Sequence, residues 1–256
     1  MGAGSHKKGK KVNLRTVMVL LSLSCATNVL AHGSLVDLSV YDRTEARRLQ
    51  VYWHEGRAYV VGKPGNEYQV TVRNRLREAV LTVVSVDGIN VVSGETANPA
   101  QTGYVLSPQR SYDILGWRKS LAETAAFYFT ALPDSYAART GRPDNVGVVG
   151  VAVFRRKQQP PPVSIAPAPA RRAAESDAAS GRAEQAEARL GTGHGRREQS
   201  VVQQVAFERA SSAPAETITL YYDSYQNLLA RGVIRDPVPV ATLPLPFPGF
   251  VPDPQR

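Results

Sequence analysis

The sequence predicts an all-β fold: a β-sandwich of about nine strands with one short helix, followed by a low-complexity linker and a small C-terminal strand, helix and proline-rich segment. Three observations predict it. Between Leu35 and Arg156 apolar and polar residues alternate with a period of two. Turn residues punctuate that stretch about every 8–15 positions. The helical period is nearly absent from it.

The elements follow in order. Val36, Leu38 and Val40 alternate with Asp37, Ser39 and Tyr41, the pattern of a half-buried strand. Leu49–Trp53 and Ala58–Val61 flank Glu55-Gly56 and read as a hairpin. Beyond the turn Lys63-Pro64-Gly65-Asn66, the residues Tyr68, Val70 and Val72 alternate with Gln69, Thr71 and Arg73. Val80–Val86 is more continuously apolar, as a central strand would be. Asp87-Gly88 then supplies the positive φ angles of a tight hairpin turn into Ile89–Val92. Tyr104–Leu106, Tyr112–Leu115, Ala125–Thr130 and Val146–Phe154 complete the set, the last as a central strand with Gly147 and Gly150 at a bulge or a close backbone approach. The one helix, Ser135–Thr140, has Asp134 to cap it and Gly141 to end it.

Both ends of the chain read differently. Residues 1–15 carry Lys7, Lys8, Lys10, Lys11 and Arg15 and no acid. An apolar run over Val17–Leu23 follows, then Val29-Leu30-Ala31. These are the three parts of a secretory signal peptide over residues 1–31, cut after Ala31. The apolar run is too short to span a bilayer, so no transmembrane span is expected after cleavage. Cys25 is the lone cysteine. As a lipidation site it lacks the expected order of an aliphatic and then a small residue, having Ser22 and Leu23 instead. The expected location is therefore periplasmic or secreted, with a lipoprotein as the weaker alternative. Residues 32–156 are the sandwich, and residues 157–215 are a flexible linker rich in Pro, Ala, Arg and Glu. Residues 216–256 hold a strand at Thr217–Tyr222, a helix capped by Asp223 with Tyr225, Leu228 and Leu229 on one face, and a tail with seven prolines. The prolines run largely as P-x-P, whereas SH3-type ligands use P-x-x-P, so a tail packed along the sandwich through Phe247 and Phe250 is expected.

The net charge of +9 loses most of its meaning once the leader is set aside. All five of its basic residues leave, and 26 Lys and Arg remain against 22 Asp and Glu. The arginines are interleaved with acids. No nucleic-acid partner is expected, because a basic stripe is its electrostatic requirement. No nucleotide is expected either: Gly191-Thr192-Gly193-His194-Gly195 lacks the third glycine at dinucleotide spacing and any βαβ context, and reads as a flexible turn.

No catalytic residue is assigned. Asp113, Glu123, Asp134 and Asp144 are expected to solvate strand ends and cap helices rather than to form an acid–base dyad. A cut after Ala31 makes His32 the first residue, whose amine and imidazole together can bind copper. His54, or else His194, supplies the second imidazole in that alternative, and copper is its cofactor. Such a brace occurs on β-sandwich proteins, but the disulfides and aromatic substrate face of those families are missing here. Trp117 and Arg118, within Gly116-Trp117-Arg118-Lys119-Ser120, are either a core plug and its neighbour or an exposed ligand-binding pair.

The runs Val86-Asp-Gly-Ile-Asn-Val-Val-Ser-Gly94, Gly103-Tyr-Val-Leu106, Gly116-Trp-Arg-Lys-Ser120, Ala126-Phe-Tyr-Phe129 and Asp134-Ser-Tyr-Ala-Ala-Arg-Thr-Gly-Arg-Pro-Asp-Asn-Val-Gly147 resemble a group of exported proteins of Gram-negative bacteria. Thr192-Gly-His-Gly195 and Tyr221-Tyr-Asp-Ser-Tyr225 do so as well. The resemblance implies an envelope location and carries over no catalytic residue. The expectation is thus an exported, non-enzymatic sandwich with a binding or structural role in the cell envelope, its partner an envelope protein or a glycan. A copper-binding protein and a carbohydrate-binding module are the alternatives.

Overall fold

The computed structural model describes residues 31–158 and 189–235. The expected signal peptide with Cys25, the middle of the expected linker, and the tail with Phe247 and Phe250 lie outside them. In chain order the strands begin with β1 (Ala31–His32), β2 (Val36–Asp42), β3 (Arg47–Arg48), β4 (Val51–His54), β5 (Arg57–Val61) and β6 (Glu67–Asn74). Next come β7 (Val80–Val86), β8 (Ile89–Asn90), β9 (Tyr104–Leu106), β10 (Ser111–Ile114), β11 (Gly116–Arg118) and β12 (Glu123–Ala131). The short helix α1 (Tyr136–Arg139), β13 (Val148–Arg155), β14 (Leu190–Gln199), β15 (Glu216–Asp223) and helix α2 (Tyr225–Ala230) complete it.

These strands form two sheets, so the fold is the all-β sandwich that the alternation predicts. An eight-stranded sheet runs β1-β2-β6-β12-β11, with β3, β10 and β14 joined to its side. A seven-stranded sheet runs β4-β5-β15-β13-β7-β8, with β9 beside β7. The inward residues of both sheets make one core in which Tyr68 stacks on Phe129 with ring centres 4.2 Å apart and on Phe127 at 5.4 Å. The predicted hairpin turns are present, with Glu55 and Gly56 at φ 49° and 72° and Asp87 and Gly88 at 52° and 72°. Among the described residues no helix is long and apolar enough to cross a membrane.

Strands β7 and β13 are apolar on both faces because both faces are covered. Their outer side chains Leu81, Val83, Ala152 and Phe154 pack beneath Phe207. Arg209 lies 4.1 Å from the Phe154 ring centre, which extends that cover.

Three expectations need correction. The linker expected over 157–215 includes a strand: β14 pairs antiparallel with β12 from Leu190 opposite Ala131 to Gln199 opposite Glu123. Its glycines are therefore strand residues, not a turn. Gly193 leaves room for the Tyr128 ring, whose Cζ lies 2.1 Å from where a Cβ would stand. Strand β15, expected in a separate C-terminal piece, is a central strand of the sandwich, parallel to β5 and antiparallel to β13. The helix caps also shift by one residue. Ser135 and Ser224 hold the extended cap conformation, and their hydroxyls accept from the amides of Ala138 and Asn227. Asp223 instead accepts from the Ser224 amide and the Asn227 side chain, at 2.8 and 2.7 Å.

Candidate functional site

Trp117 and Arg118 do not form a ligand surface. Trp117 is 3% exposed, donates its Nε1–H to the Gly193 carbonyl at 3.1 Å, and meets Phe127 edge-on. Strand β11 carries it inward because Gly116 lies so close to β12 that a Cβ there would fall 1.9 Å from the Ala125 carbonyl oxygen. The Arg118 guanidinium is committed as well. It donates to the Tyr104 hydroxyl and to the carbonyl and hydroxyl of Ser200, tying β9 and the chain after β14 together.

The histidines are distributed over different elements. The main chain of His32 pairs with Asp37 on the edge strand β1. His54 ends β4, half-buried, with Nε2 3.8 Å from the exposed Glu55 carboxylate. His194 lies on β14, where desolvation and then the charges of Lys119, Arg197 and Arg139 hold its pKa below the ordinary value. Among the described residues no three His, Cys, Asp or Glu side chains are grouped as a metal site.

The four acids lie on separate elements. Asp113 accepts from the Thr71 hydroxyl at 2.7 Å, and Glu123 sits 3.4 Å from Arg197. Asp134 and Asp144 lie in the short turns flanking α1.

A buried polar chain joins the two sheets. Tyr222 of β15 donates its hydroxyl proton to Asp87 Oδ1. It therefore accepts from Thr192 Oγ1 of β14 at 2.6 Å, and Thr192 in turn accepts from Tyr68 of β6 at 2.6 Å. The amides of Gly147 and Thr192 donate to the two Asp87 oxygens at 2.9 and 2.8 Å. Gly147 reaches Asp87 with φ 92°, a conformation that favours glycine. Burial pushes the Asp87 carboxyl up to about 6, although the bonds from Tyr222, Gly147 and Thr192 act the other way. Burial, then the Asp87 charge, keeps Tyr68 and Tyr222 protonated well above 10. This chain is a staple: each donor has an acceptor, which is what makes polar groups tolerable in a core.

A groove of about 420 Å³ opens at the rim where β1 approaches β4, β5 and β15. Its walls include Trp53, Arg57, Thr217, Thr219 and Tyr221, with the buried Ala31, Ala58 and Ile218 beneath. Trp53 is 52% exposed. Arg57 holds its guanidinium 5.8 Å from the Tyr221 ring centre. One end is closed by Glu216, whose carboxylate accepts from the Ser34 amide and hydroxyl and from the amides of Leu35 and Val36. Desolvation opposes that charge, but the Ser34 hydroxyl and the three amides outweigh it, and the carboxyl lies below its ordinary value. The alternation of β4 shows Trp53 only as a strand residue. Its place beside the Glu55-Gly56 turn of an edge hairpin is the signal that leaves it on the rim.

No protein-family model, curated protein or solved structure matches the chain.

Proposed function

We propose that the chain is an exported, non-enzymatic sandwich that binds a saccharide of the cell envelope in the groove of Trp53. The carrying observation is the half-exposed indole beside two threonine hydroxyls and the Arg57 guanidinium that lies over Tyr221. An aromatic face takes the C–H face of a pyranose ring, while hydroxyls and a guanidinium satisfy its hydroxyl or carboxylate groups. The carboxyl that burial raises supports the same division of labour: Asp87 is sealed in the core, with its oxygens engaged by Tyr222, Gly147 and Thr192. The leader pattern of residues 1–31 and the resemblance to exported Gram-negative proteins support an envelope compartment in this reading. The test is a glycan array probed with the chain and with Trp53→Ala. Binding that the substitution abolishes is expected; no binding by either protein ends the proposal.

Copper remains a second reading on one observation. Gly33, which follows His32, and Trp53, which precedes His54, line the same groove. Isothermal titration of a chain beginning at His32 tests it, and absence of copper uptake removes it.

A further inference from the structure

The groove continues onto the outer face of the seven-stranded sheet. The strand register sets Arg57 of β5, Thr219 of β15, Gly150 of β13 and Ser85 of β7 in one row across it. All four are exposed or half-buried. A Cβ at Gly150 would stand 2.8 Å from Ser85 Oγ, so the middle of the row is bare backbone with a hydroxyl beyond it. Among the described residues the sheet is covered on either side of this row. Leu228, Val233 and Ile234 cluster with Tyr59 at one side, and Phe207 packs on the cluster of Phe154 and Val83 at the other. What stays open is a strip one chain wide. From β5 to β7 it crosses three strand spacings, about 14 Å at ~4.8 Å each.

The charge of this face is one-sided. Arginines stand over its rings: Arg57 over Tyr221 at 5.8 Å, Arg231 over Tyr59 at 5.2 Å, Arg209 over Phe154 at 4.1 Å and Arg156 over Phe207 at 4.8 Å. The nearby acids are already engaged. Glu216 accepts from the amides of Ser34, Leu35 and Val36, Asp223 lies 3.7 Å from Arg231, and Glu208 pairs with Lys157. Glu55 sits at the hairpin tip, 3.8 Å from His54 Nε2. Arg57 is exposed at the head of the row and pairs with no carboxylate among the described residues. A guanidinium resting on a ring keeps its in-plane N–H donors, and their fork fits a carboxylate in two parallel bonds. The row itself holds no acid that would repel one.

We infer that the strip receives an unbranched acidic polysaccharide, with a uronate carboxylate on Arg57 and the chain running across β15 and β13 to Ser85. The inference rests on the saccharide reading of the groove and adds the ligand's charge and direction. Trp53 takes one ring at the mouth. The Thr219 and Ser85 hydroxyls lie along the path, and each both donates and accepts, which suits ring hydroxyls of either orientation. Gly150 leaves the middle of the path clear. A branch would meet Phe207 on one side or the cluster of Leu228 on the other, so the covers select a linear chain. A linked pyranose advances by roughly one strand spacing, so mouth and row together hold about four units.

Oligogalacturonates and oligomannuronates of one to six units test it, each beside its methyl ester as the neutral counterpart, titrated calorimetrically into the full chain. The acids are expected to bind about tenfold more tightly than the esters, the effect of one charge-assisted pair. Affinity should rise with length to about four units and then level off. Arg57→Gln should remove the preference for the acid and leave ester binding unchanged. Ser85→Ala should cancel the gain from the last unit, and Gly150→Val should block the path so that affinity levels off at about two units. Equal affinity for acid and ester overturns the inference. So does affinity that stops rising after one unit, an acid preference that survives Arg57→Gln, or no binding of either series. The glycan array reads the saccharide proposal separately: hits confined to neutral glycans and lost in Trp53→Ala keep that proposal and end this one.

Discussion

Replacing Asp87 with asparagine removes a buried carboxyl whose pKa is pushed from 3.8 up to about 6, and the change in pH dependence can be worked out. An acid with a raised pKa in the folded state binds its proton more tightly there than when unfolded. Its contribution to stability is fully present below the unfolded value, declines as pH rises, and is gone above about 6. A shift of about two units at ~1.36 kcal/mol each gives about 3 kcal/mol across that window. Other carboxyls have the opposite sign: Glu45 is held at about 2 by Lys63 and Arg47, and Glu216 is lowered as well, so both favour the fold less on acidification. Comparing Asp87→Asn with the natural chain cancels them. Urea denaturation at intervals from pH 4 to pH 7 is the assay. The variant is expected to be less stable at every pH, because its amide sets an N–H against the Gly147 or Thr192 amide or the Tyr222 hydroxyl. The gap should widen by about 2 kcal/mol as pH falls from 7 to 4, the remainder of the about 3 kcal/mol developing at lower pH. Parallel curves, or a gap that closes in acid, refute the linkage.

Three further outcomes follow from the same contacts. Thr192→Val leaves the Tyr68 and Tyr222 hydroxyls short of a partner inside the core and should cost about 1–3 kcal/mol in urea unfolding. Gly116→Ala should cost more than Gly193→Ala, about 3 kcal/mol at the upper end of overpacking. At Gly116 the obstacle is the Ala125 main chain, whereas at Gly193 it is the tip of the Tyr128 side chain, which can swing aside; calorimetric melting of the two variants ranks them. Glu216→Gln sets a donor among the amides of Ser34, Leu35 and Val36, and hydrogen exchange at these amides should accelerate while exchange in β7 and β13 is unchanged.

Much of the fold was legible because one rule governs it. Strands β4 to β7 follow from alternation and from Glu55-Gly56 and Asp87-Gly88, where the chain must adopt positive φ. Trp117 followed only in part: a Trp beside an Arg is ambiguous until the close approach of Gly116 turns the indole inward. Strand β14 was hidden by its composition, since Gly191, Gly193 and Gly195 read as a turn. Their spacing is nevertheless two, the period of one strand face, and that face is bare so that Tyr128, Ser135 and Ala126 can approach it. The Asp87 staple was out of reach. Its members are 68, 87, 192 and 222 along the chain, and only the pairing of β14 and β15 into opposite sheets brings them together. Trp53 had its rim position encoded in a hairpin tip, but the wall opposite it comes from β15, whose placement local pattern does not reveal.

The position of β15 has a consequence for how the chain matures. It lies between β5 and β13, so until residue 223 is available the seven-stranded sheet is split, and the core residues Leu220 and Tyr222 are missing. A nascent chain released from its N-terminal end first can pair β2 with β6 and β7 with β13, but it cannot close. A chain held open in this way cannot close its seven-stranded sheet until Asp223 has been made. The same delay carries a hazard: a product truncated before Glu216 presents the facing sides of β5 and β13 as open edges, ready to accept a strand from another molecule.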